Sequence, residues 1–271
     1  MMRAQAGEAW RPDGPAVIVL CEDAARRGEA EALAQRLAAQ LAEEPEPGQL
    51  HLKVSRDGLS LARDAMELHP DFADMLPRVR QGALQREMLV RAARIKGADR
   101  SRAVDATAGL GEDSFLLAAA GFEVTLCEAD PVIAALLADA LARASRDASL
   151  APIVSRMRLV EGDSRDALAS FAAVPADAGP DARPDVVYLD PMFPGRTKSA
   201  AVKKKFQLIH GLERPTDPLD EEALLRAALA AHPRKVVIKR PVKGPHLAGV
   251  KPSHSVAGKA VRYDCIVPVR P

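Results

Sequence analysis

The chain has 271 residues, of which 48% are hydrophobic and 28% charged, and these ordinary globular values exclude wholesale disorder. No apolar run approaches the ~18 residues of a membrane span, and three widely spaced cysteines provide neither a disulfide framework nor a CxxC zinc site. The net charge is only +1, but residues 191–271 hold 16 Lys and Arg against 6 Asp and Glu. This distribution predicts a contact face for a polyanion, on a protein that we expect to be reduced and cytoplasmic.

The first 75 residues predict a small α/β appendage that carries no chemistry-bearing motif. A strand is predicted over 16–20 and a helix over 24–42, ended by the acidic, proline-rich stretch 43–48. Arg56-Asp57-Gly58 lies between two short apolar runs and predicts a hairpin. We therefore expect a small domain over 1–75 and a larger domain over 76–271.

From residue 84 onward, predicted helices and strands alternate along the chain. The helices are expected at 84–95, 112–120, 131–145, 166–173 and 221–231; the strands at 103–106, 122–126, 157–160, 186–189 and 235–239; and a terminal hairpin around 256–261. Strands separated by helices of this length require crossover connections, which predict a doubly wound, mostly parallel α/β sheet with helices on both faces.

A glycine-containing turn follows the first of these strands. Asp105 closes the strand, and Gly109 and Gly111 permit a tight turn and close approach of the backbone to a ligand. Ser114 stands where the dinucleotide fingerprint has its third glycine, so the turn argues against an NAD(P) oxidoreductase. The turn predicts a nucleotide-like cofactor at the carboxyl edge of the sheet.

Acidic residues near the strand ends narrow the choice of cofactor. Glu112 and Asp113 in the first helical turn would repel a pyrophosphate but suit a cationic, phosphate-free nucleoside such as S-adenosylmethionine. Glu128 ends the second strand, where it is expected to accept hydrogen bonds from ribose hydroxyls. Asp163 or Ser164 follows the third strand and is expected to meet the adenine.

The fourth strand runs into Asp190-Pro191-Met-Phe-Pro, which resembles the (Asp/Asn)-Pro-Pro-(Tyr/Phe) signature of methyltransferases that act on exocyclic amino groups. Such an amine is a poor nucleophile because its lone pair is delocalised into the ring. The carboxylate of Asp190 and the carbonyl of Pro191 are expected to accept its two N–H groups and aim the lone pair, while Phe193 stacks on the base.

Basic side chains follow this loop and the fifth strand, and we expect them to track RNA phosphates while one base enters the pocket. The predicted RNA-binding residues are Arg196, Lys198, Lys203, Lys204, Lys205, Lys239 and Arg240. The six histidines show no metal-ligand spacing, so no metal is expected.

These motifs follow one another as in the small-subunit ribosomal RNA methyltransferase J family, which the chain resembles over most of residues 84–241. The matching segments are Val104–Gly111, Pro131–Leu137, Val187–Pro194, Lys198–Lys204 and Val236–Pro241. The resemblance implies a seven-stranded Rossmann-like sheet and S-adenosylmethionine-dependent methylation of the exocyclic N2 of one guanosine in small-subunit ribosomal RNA. The cofactor contacts that it implies are Glu112-Asp113, Glu128-Ala129, Asp163-Ser164 and Asp190.

Two departures from the family pattern leave other functions open. Residues Gly82–Glu87 keep only part of the family's glycine-rich run, and the first 75 residues match weakly. One alternative is an amino-methyltransferase for transfer RNA, DNA or a protein. Another is a non-catalytic RNA-binding assembly factor on the same fold, although the intact acidic positions and the Asp-Pro loop argue against it.

Overall fold

The computed structural model describes residues 17–97, 101–175, 178–179, 182–191, 207–209, 212 and 218–268. The described residues form two compact units. The first unit comprises 17–68 with 207–209 and 212, and the second comprises 69–191 with 218–268, apart from the gaps given above. Within the described part of the chain, no helix is both long and apolar enough to cross a membrane.

The first unit is built on a five-stranded sheet and includes the helix α1 at Arg27–Arg36. The strands are β1 (Ile18–Cys21), β2 (Leu41–Ala42), β3 (His51–Ser55), β4 (Gly58–Arg63) and β5 (Met66–Leu68), in the sheet order β2-β1-β3-β4-β5. The predicted hairpin is confirmed, because β3 and β4 pair antiparallel around residues 56 and 57.

The helix predicted over 24–42 is wrong at its carboxyl end. The α-helix stops at Arg36, and Ala38 takes a left-handed φ of 49°. Residues after that point hydrogen bond to β1 instead of continuing the helix: Leu41 and Ala42 pair parallel with Val19 and Leu20. Apolar alanines and leucines fit either structure, so the choice is made by the neighbouring strand.

The second unit contains a seven-stranded sheet of mixed direction. Its strands are β6 (Ser101–Asp105), β7 (Phe122–Glu128), β8 (Met157–Glu161), β9 (Val186–Leu189), β10 (Lys235–Pro241), β11 (His254–Ala257) and β12 (Val261–Ile266), in the order β11-β12-β10-β9-β6-β7-β8. Strands β8, β7, β6, β9 and β10 run parallel, while β12 is antiparallel to both of its neighbours. The predicted seven-stranded, mostly parallel sheet and its terminal hairpin are confirmed.

Helices cover both faces of this sheet. They are α2 (Leu76–Val79), α3 (Met88–Ala93), α4 (Glu112–Ala119), α5 (Pro131–Ala144), α6 (Ala151–Val154), α7 (Ser164–Ala172) and α8 (Pro218–Ala230). Strand β9 shows how the two faces form: Val186 and Tyr188 pack into the core with α3, α4 and α5, while Val187 and Leu189 pack with α7 and α8. A strand buried on both faces needs this uninterrupted apolar run.

Residues just after Leu68 belong to the second unit. A short 3-10 helix at Phe72–Met75 buries both of its end residues, and the Phe72 ring stacks on Phe115 of α4 with 5.0 Å between centroids. The predicted boundary after residue 75 therefore lies inside the second unit, because an aromatic pair ties this segment to the core of the larger sheet.

The strand order also fixes where a ligand can bind. Strands β7 and β8 lie on one side of β6, whereas β9 and β10 lie on the other, so the order reverses between β6 and β9. In open α/β sheets, the crevice at such a reversal, outside the carboxyl ends of the strands, is the usual ligand site. Asp105 and Asp190 come at these two strand ends.

Candidate active site

The turn after β6 is organised around a buried carboxylate. Asp105 accepts hydrogen bonds from the Thr107 amide at 3.1 Å and from the Ser114 hydroxyl at 2.6 Å, and it is only 1% exposed. Burial raises the pKa of Asp105 to about 7, although the two hydrogen bonds act in the opposite direction. Ser114 thus has a structural reason to replace the third glycine, since its hydroxyl holds Asp105. The predicted cofactor contact of Asp105 stays a prediction.

Gly109 and Gly111 are both left-handed, with φ of 55° and 77°, but they face different surroundings. A Cβ atom on Gly111 would lie 2.8 Å from Leu137 Cδ1 and 3.2 Å from Phe72 Cζ, so this glycine allows α4 to begin against the core. A Cβ on Gly109 would meet nothing within 4 Å. Gly109 therefore borders open space into which a ligand can approach the backbone.

Glu128 connects the glycine turn to the end of β7. Its Oε2 accepts a hydrogen bond from the Gly109 amide at 2.8 Å, and its Oε1 accepts one from the Asp130 amide at 2.8 Å. Burial raises the pKa of Glu128, while these amide hydrogen bonds counteract the rise. Ala129, the other predicted contact at this strand end, is exposed.

The third strand end carries Asp163 and Ser164 at the start of α7. The Asp163 side chain accepts a hydrogen bond from the Arg165 amide and forms an ion pair with the Arg165 guanidinium at 2.5 Å. The hydrogen bonds from Arg165 lower the pKa of Asp163. Because Glu128 pairs in register with Glu161, the ends of β7 and β8 lie side by side.

The loop after β9 is tied directly to the turn after β6. The Asp190 amide donates a hydrogen bond to Thr107 Oγ1 at 2.7 Å, and the Ala106 amide donates one to the Tyr188 carbonyl at 3.0 Å. Pro191 is buried. Of the predicted site residues, Phe193, Arg196, Lys198, Lys203, Lys204 and Lys205 lie outside the described residues.

A charged cluster that the sequence analysis missed occupies the same strand ends. Lys239 Nζ lies 2.6 Å from Asp113 Oδ2 and 2.8 Å from Asp190 Oδ2, and the Tyr188 hydroxyl donates to Asp113 Oδ2 at 2.6 Å. We call these four residues the Lys239 cluster. The sequence signals this cluster only through the separation of two residues between Tyr188 and Asp190, which places both side chains on one face of β9 and its extension.

The electrostatics of the Lys239 cluster favour its charged forms. Burial by itself would lower the pKa of Lys239, but Asp113 and Asp190 raise it well above its ordinary value. Burial by itself would raise the pKa of Asp113, but the ammonium of Lys239 and the hydroxyl of Tyr188 bring it below its ordinary value. The cluster is therefore an ion-paired assembly, and the predicted cofactor contact of Asp113 stays a prediction beside this observed role.

The structure gives Lys239 and Arg240 partners within the protein and so provides no support for their predicted RNA contacts. Lys239 is engaged by two carboxylates, and its side chain is only 16% exposed. Arg240 is 1% exposed, and it donates to the Pro245 carbonyl and pairs with Glu221 at 3.2 Å. The reason is that β10 extends to Pro241, so both residues lie within the strand and not in the loop beyond it.

These residues suit a cationic nucleoside better than a phosphate. The turn offers an open approach at Gly109, the acidic Glu112 at the start of α4, and carboxylates at the ends of β7 and β8. Among the described residues, no group of three or more His, Cys, Asp or Glu side chains is arranged to hold a metal ion. Fold and site together define a class, the S-adenosylmethionine-dependent methyltransferases with a doubly wound sheet.

Comparisons with known proteins identify the family within this class. The model of the family SAM_MT, described as "Putative SAM-dependent methyltransferase", matches residues 15–268. The ribosomal RNA small subunit methyltransferase J of Thioalkalivibrio sulfidiphilus is 47% identical over 89% of this chain and 93% of its own, and that of Pseudomonas aeruginosa is 42% identical over 90% of each. A SAM-dependent methyltransferase structure from Neisseria gonorrhoeae is 29% identical, with a TM-score of 0.71 over 92% of this chain and 95% of its own. The chain belongs to the ribosomal RNA small subunit methyltransferase J family.

Proposed function

We propose that this protein transfers a methyl group from S-adenosylmethionine to the exocyclic N2 of a guanosine in small-subunit ribosomal RNA. The observation that carries the proposal is the placement of Asp190 at the carboxyl end of β9, where Thr107 and Lys239 hold it next to the glycine turn. The names of the relatives support the choice of ribosomal RNA. The resemblance to an exocyclic-amine signature at Asp190-Pro191 supports the choice of N2.

The proposed cofactor site follows the carboxyl edge of β6, β7, β8 and β9. The open space beside Gly109 supports close approach to its backbone, and the Glu128 carboxylate at the end of β7 is proposed to accept hydrogen bonds from ribose hydroxyls. The remaining proposed contacts are Asp105, Gly111, Glu112, Asp113, Ala129, Asp163, Ser164 and Asp190. When bound, S-adenosylmethionine supplies an electrophilic methyl carbon on a sulfonium.

Asp190 and Pro191 are proposed to orient the nucleophile. The Asp190 carboxylate accepts one N–H of the guanine amine and the Pro191 carbonyl accepts the other, which turns the nitrogen lone pair toward the methyl carbon. The bound S-adenosylmethionine would supply the methyl group and leave as S-adenosylhomocysteine, and the methylated nitrogen held by Asp190 and Pro191 would release one N–H proton to solvent. Asp190 also stabilises the positive charge that develops on the nitrogen, and Phe193 is proposed to stack on the base.

RNA binding is proposed to depend on the basic residues that follow the Asp-Pro loop. These residues come soon after the loop in the sequence and are proposed to contact phosphates on either side of the target nucleotide. They are Arg196, Lys198, Lys203, Lys204 and Lys205. The substrate is proposed to be ribosomal RNA or the small ribosomal subunit, which would locate the protein in the cytoplasm.

The test is transfer of a labelled methyl group to three substrates: small ribosomal subunits, naked small-subunit ribosomal RNA and transfer RNA. All three should come from cells that lack this enzyme, so that the target is unmodified. Label in N2-methylguanosine from either ribosomal substrate is the expected result. Label confined to transfer RNA would favour another amino-methyltransferase activity, and no label on any substrate would favour the non-catalytic assembly factor.

A further inference from the structure

We propose that Lys239 is a positioning residue for methyl transfer, which fixes the carboxylate of Asp190 in its ionised, hydrogen-bond-accepting form. This inference rests on the proposed function, in which Asp190 holds the substrate amine. The structure shows the contact on which it depends, since Lys239 Nζ lies 2.8 Å from Asp190 Oδ2.

The sheet register explains why this lysine reaches Asp190. Ile238 of β10 pairs with Leu189 of β9, so Lys239 and Asp190 are the next residues along two adjacent parallel strands. Asp190 is thereby held at two points, at its amide by Thr107 and at its carboxylate by Lys239. Two attachments restrict the rotation of the side chain, and a misplacement of about 1 Å in a catalytic group can cost about 100-fold in rate.

Charge is the second reason why Asp190 depends on Lys239. Asp105 interacts electrostatically with both Asp113 and Asp190, and the carboxylates of Asp113 and Asp190 share the ammonium of Lys239. The hydroxyl of Tyr263 from β12 and the guanidinium of Arg78 from α2 also face the Lys239 cluster, in which the Tyr188 hydroxyl donates to Asp113. The Lys239 ammonium touches both Asp113 and Asp190, so its removal would leave two carboxylates to repel each other.

A protonated Asp190 would orient the substrate amine less well than an ionised one. An ionised carboxylate only accepts hydrogen bonds, whereas a protonated one presents an O–H donor that competes with the substrate N–H groups. Asp113 and Asp190 raise the pKa of Lys239, so the ammonium itself remains charged throughout the range in which the enzyme works. Lys239 therefore acts through Asp190 and contacts neither the substrate nor the reacting atoms.

The test compares Lys239→Gln, which removes the charge, with Lys239→Arg, which keeps it. Lys235→Gln is the matched control, because Lys235 lies on the same strand but donates to the backbone carbonyls of Ala92 and Arg94. Each variant is assayed for kcat against pH on the small-subunit substrate and for affinity for S-adenosylmethionine by calorimetry. Circular dichroism confirms folding, and Lys239→Met serves as a second neutral variant.

The neutral Lys239 variants should lower kcat by about 10- to 100-fold and move the acid limb of the kcat profile to higher pH. Affinity for S-adenosylmethionine should stay within about threefold of wild type, Lys239→Arg should restore the acid limb, and Lys235→Gln should leave the profile unchanged. If the neutral variants fold and keep the wild-type kcat and the wild-type acid limb, the inference about Lys239 is wrong and the proposed function is unaffected. An equal loss in Lys235→Gln would also overturn it, whereas a wild-type protein without turnover would contradict the proposed function together with this inference.

Discussion

Two side chains hold Asp190 in place. Thr107, which follows β6, accepts a hydrogen bond from the Asp190 amide, and Lys239 of β10 pairs with the Asp190 carboxylate. We predict that Asp190→Ala lowers kcat at least about 100-fold, because neither the alignment of the amine nor the stabilisation of its developing charge survives the change. Affinity for S-adenosylmethionine should stay within about tenfold. The measurement is single-turnover methyl transfer together with calorimetric titration of the cofactor.

The matched control for this variant is Asp185→Ala at the other end of the same strand. Asp185 accepts a hydrogen bond from the Arg102 amide at the amino-terminal edge of the sheet, so its removal should affect stability and not turnover. Wild-type turnover in Asp190→Ala would remove Asp190 from the mechanism.

Asp105 makes stability depend on pH in a specific direction. Burial raises its pKa to about 7 from an ordinary value of 3.8, so the folded protein binds this proton more tightly than the unfolded chain does. The stabilisation is complete below the ordinary value and is lost as pH rises through about 7. We predict that the free energy of unfolding of wild type falls relative to that of Asp105→Asn between pH 5 and pH 7, by at most about 1.4 kcal/mol per pH unit.

Denaturant titrations of both proteins at several pH values would measure this difference. Asp105→Asn is suitable because an amide can still accept the Thr107 hydrogen bond but does not ionise. A difference between the two proteins that is constant over this range would contradict a raised pKa at Asp105.

Among single residues, the sequence predicted acids at strand ends but not their partners. Asp105 and Glu128 end their strands and Asp190 follows directly after β9, and a strand end is a local signal. The pairing of Lys239 with Asp113 joins residues 126 positions apart, and the pairing of Lys239 with Asp190 depends on the register between β9 and β10. A lysine followed by an arginine near a strand end indicates a basic surface, because charge alone does not reveal which strand face is covered.

At the level of elements, the start of α4 depends on a glycine packed against the core. We predict that Gly111→Ala destabilises the fold by about 1–3 kcal/mol through overpacking, in addition to the cost of a left-handed alanine. Leu137 Cδ1, 2.8 Å from the added carbon, would have to move, and it belongs to the buried face of α5. Thermal and denaturant unfolding measure the effect.

Gly109→Ala is the comparison for this prediction, because it also has positive φ but adds its carbon to open space. Both alanines incur the left-handed backbone cost, and only the one at position 111 meets a clash. Equal destabilisation of the two variants would show that backbone conformation, and not packing, requires the glycine.

The alternation of elements was predictable, whereas several boundaries depended on tertiary contacts. Strand β9 has the predicted bounds because four apolar residues precede Asp190. The helix predicted over 84–95 instead divides into a 3-10 turn at Leu84–Arg86 and α3 at Met88–Ala93. Glu87, the residue between them, is extended and forms a two-pronged ion pair with Arg78, which sequence periodicity cannot anticipate.

For the whole molecule, the concentration of positive charge after residue 190 predicts salt-dependent RNA binding. Replacing Lys203, Lys204 and Lys205 with Ala should weaken binding and reduce the slope of log K against log salt, by up to about one unit for each phosphate that is no longer neutralised. Lys96→Ala is the control, since Lys96 is an exposed lysine in the connection that precedes β6. Binding isotherms at several salt concentrations measure the slope, and an unchanged slope would mean that these lysines do not contact RNA.

The stacking of Phe72 on Phe115 determines how the chain can be shortened. A fragment that starts at residue 76 would leave the buried Phe115 ring with an empty space beside it, and removal of a buried phenylalanine side chain typically costs about 3–5 kcal/mol. It would also remove the Phe72 ring, one of the side chains that pack beside Gly111 in the turn where the cofactor is proposed to bind. A cut between Leu68 and His69 therefore keeps Phe72 in the same fragment as Phe115, while residues 207–209 and 212 of the first unit stay with that larger fragment.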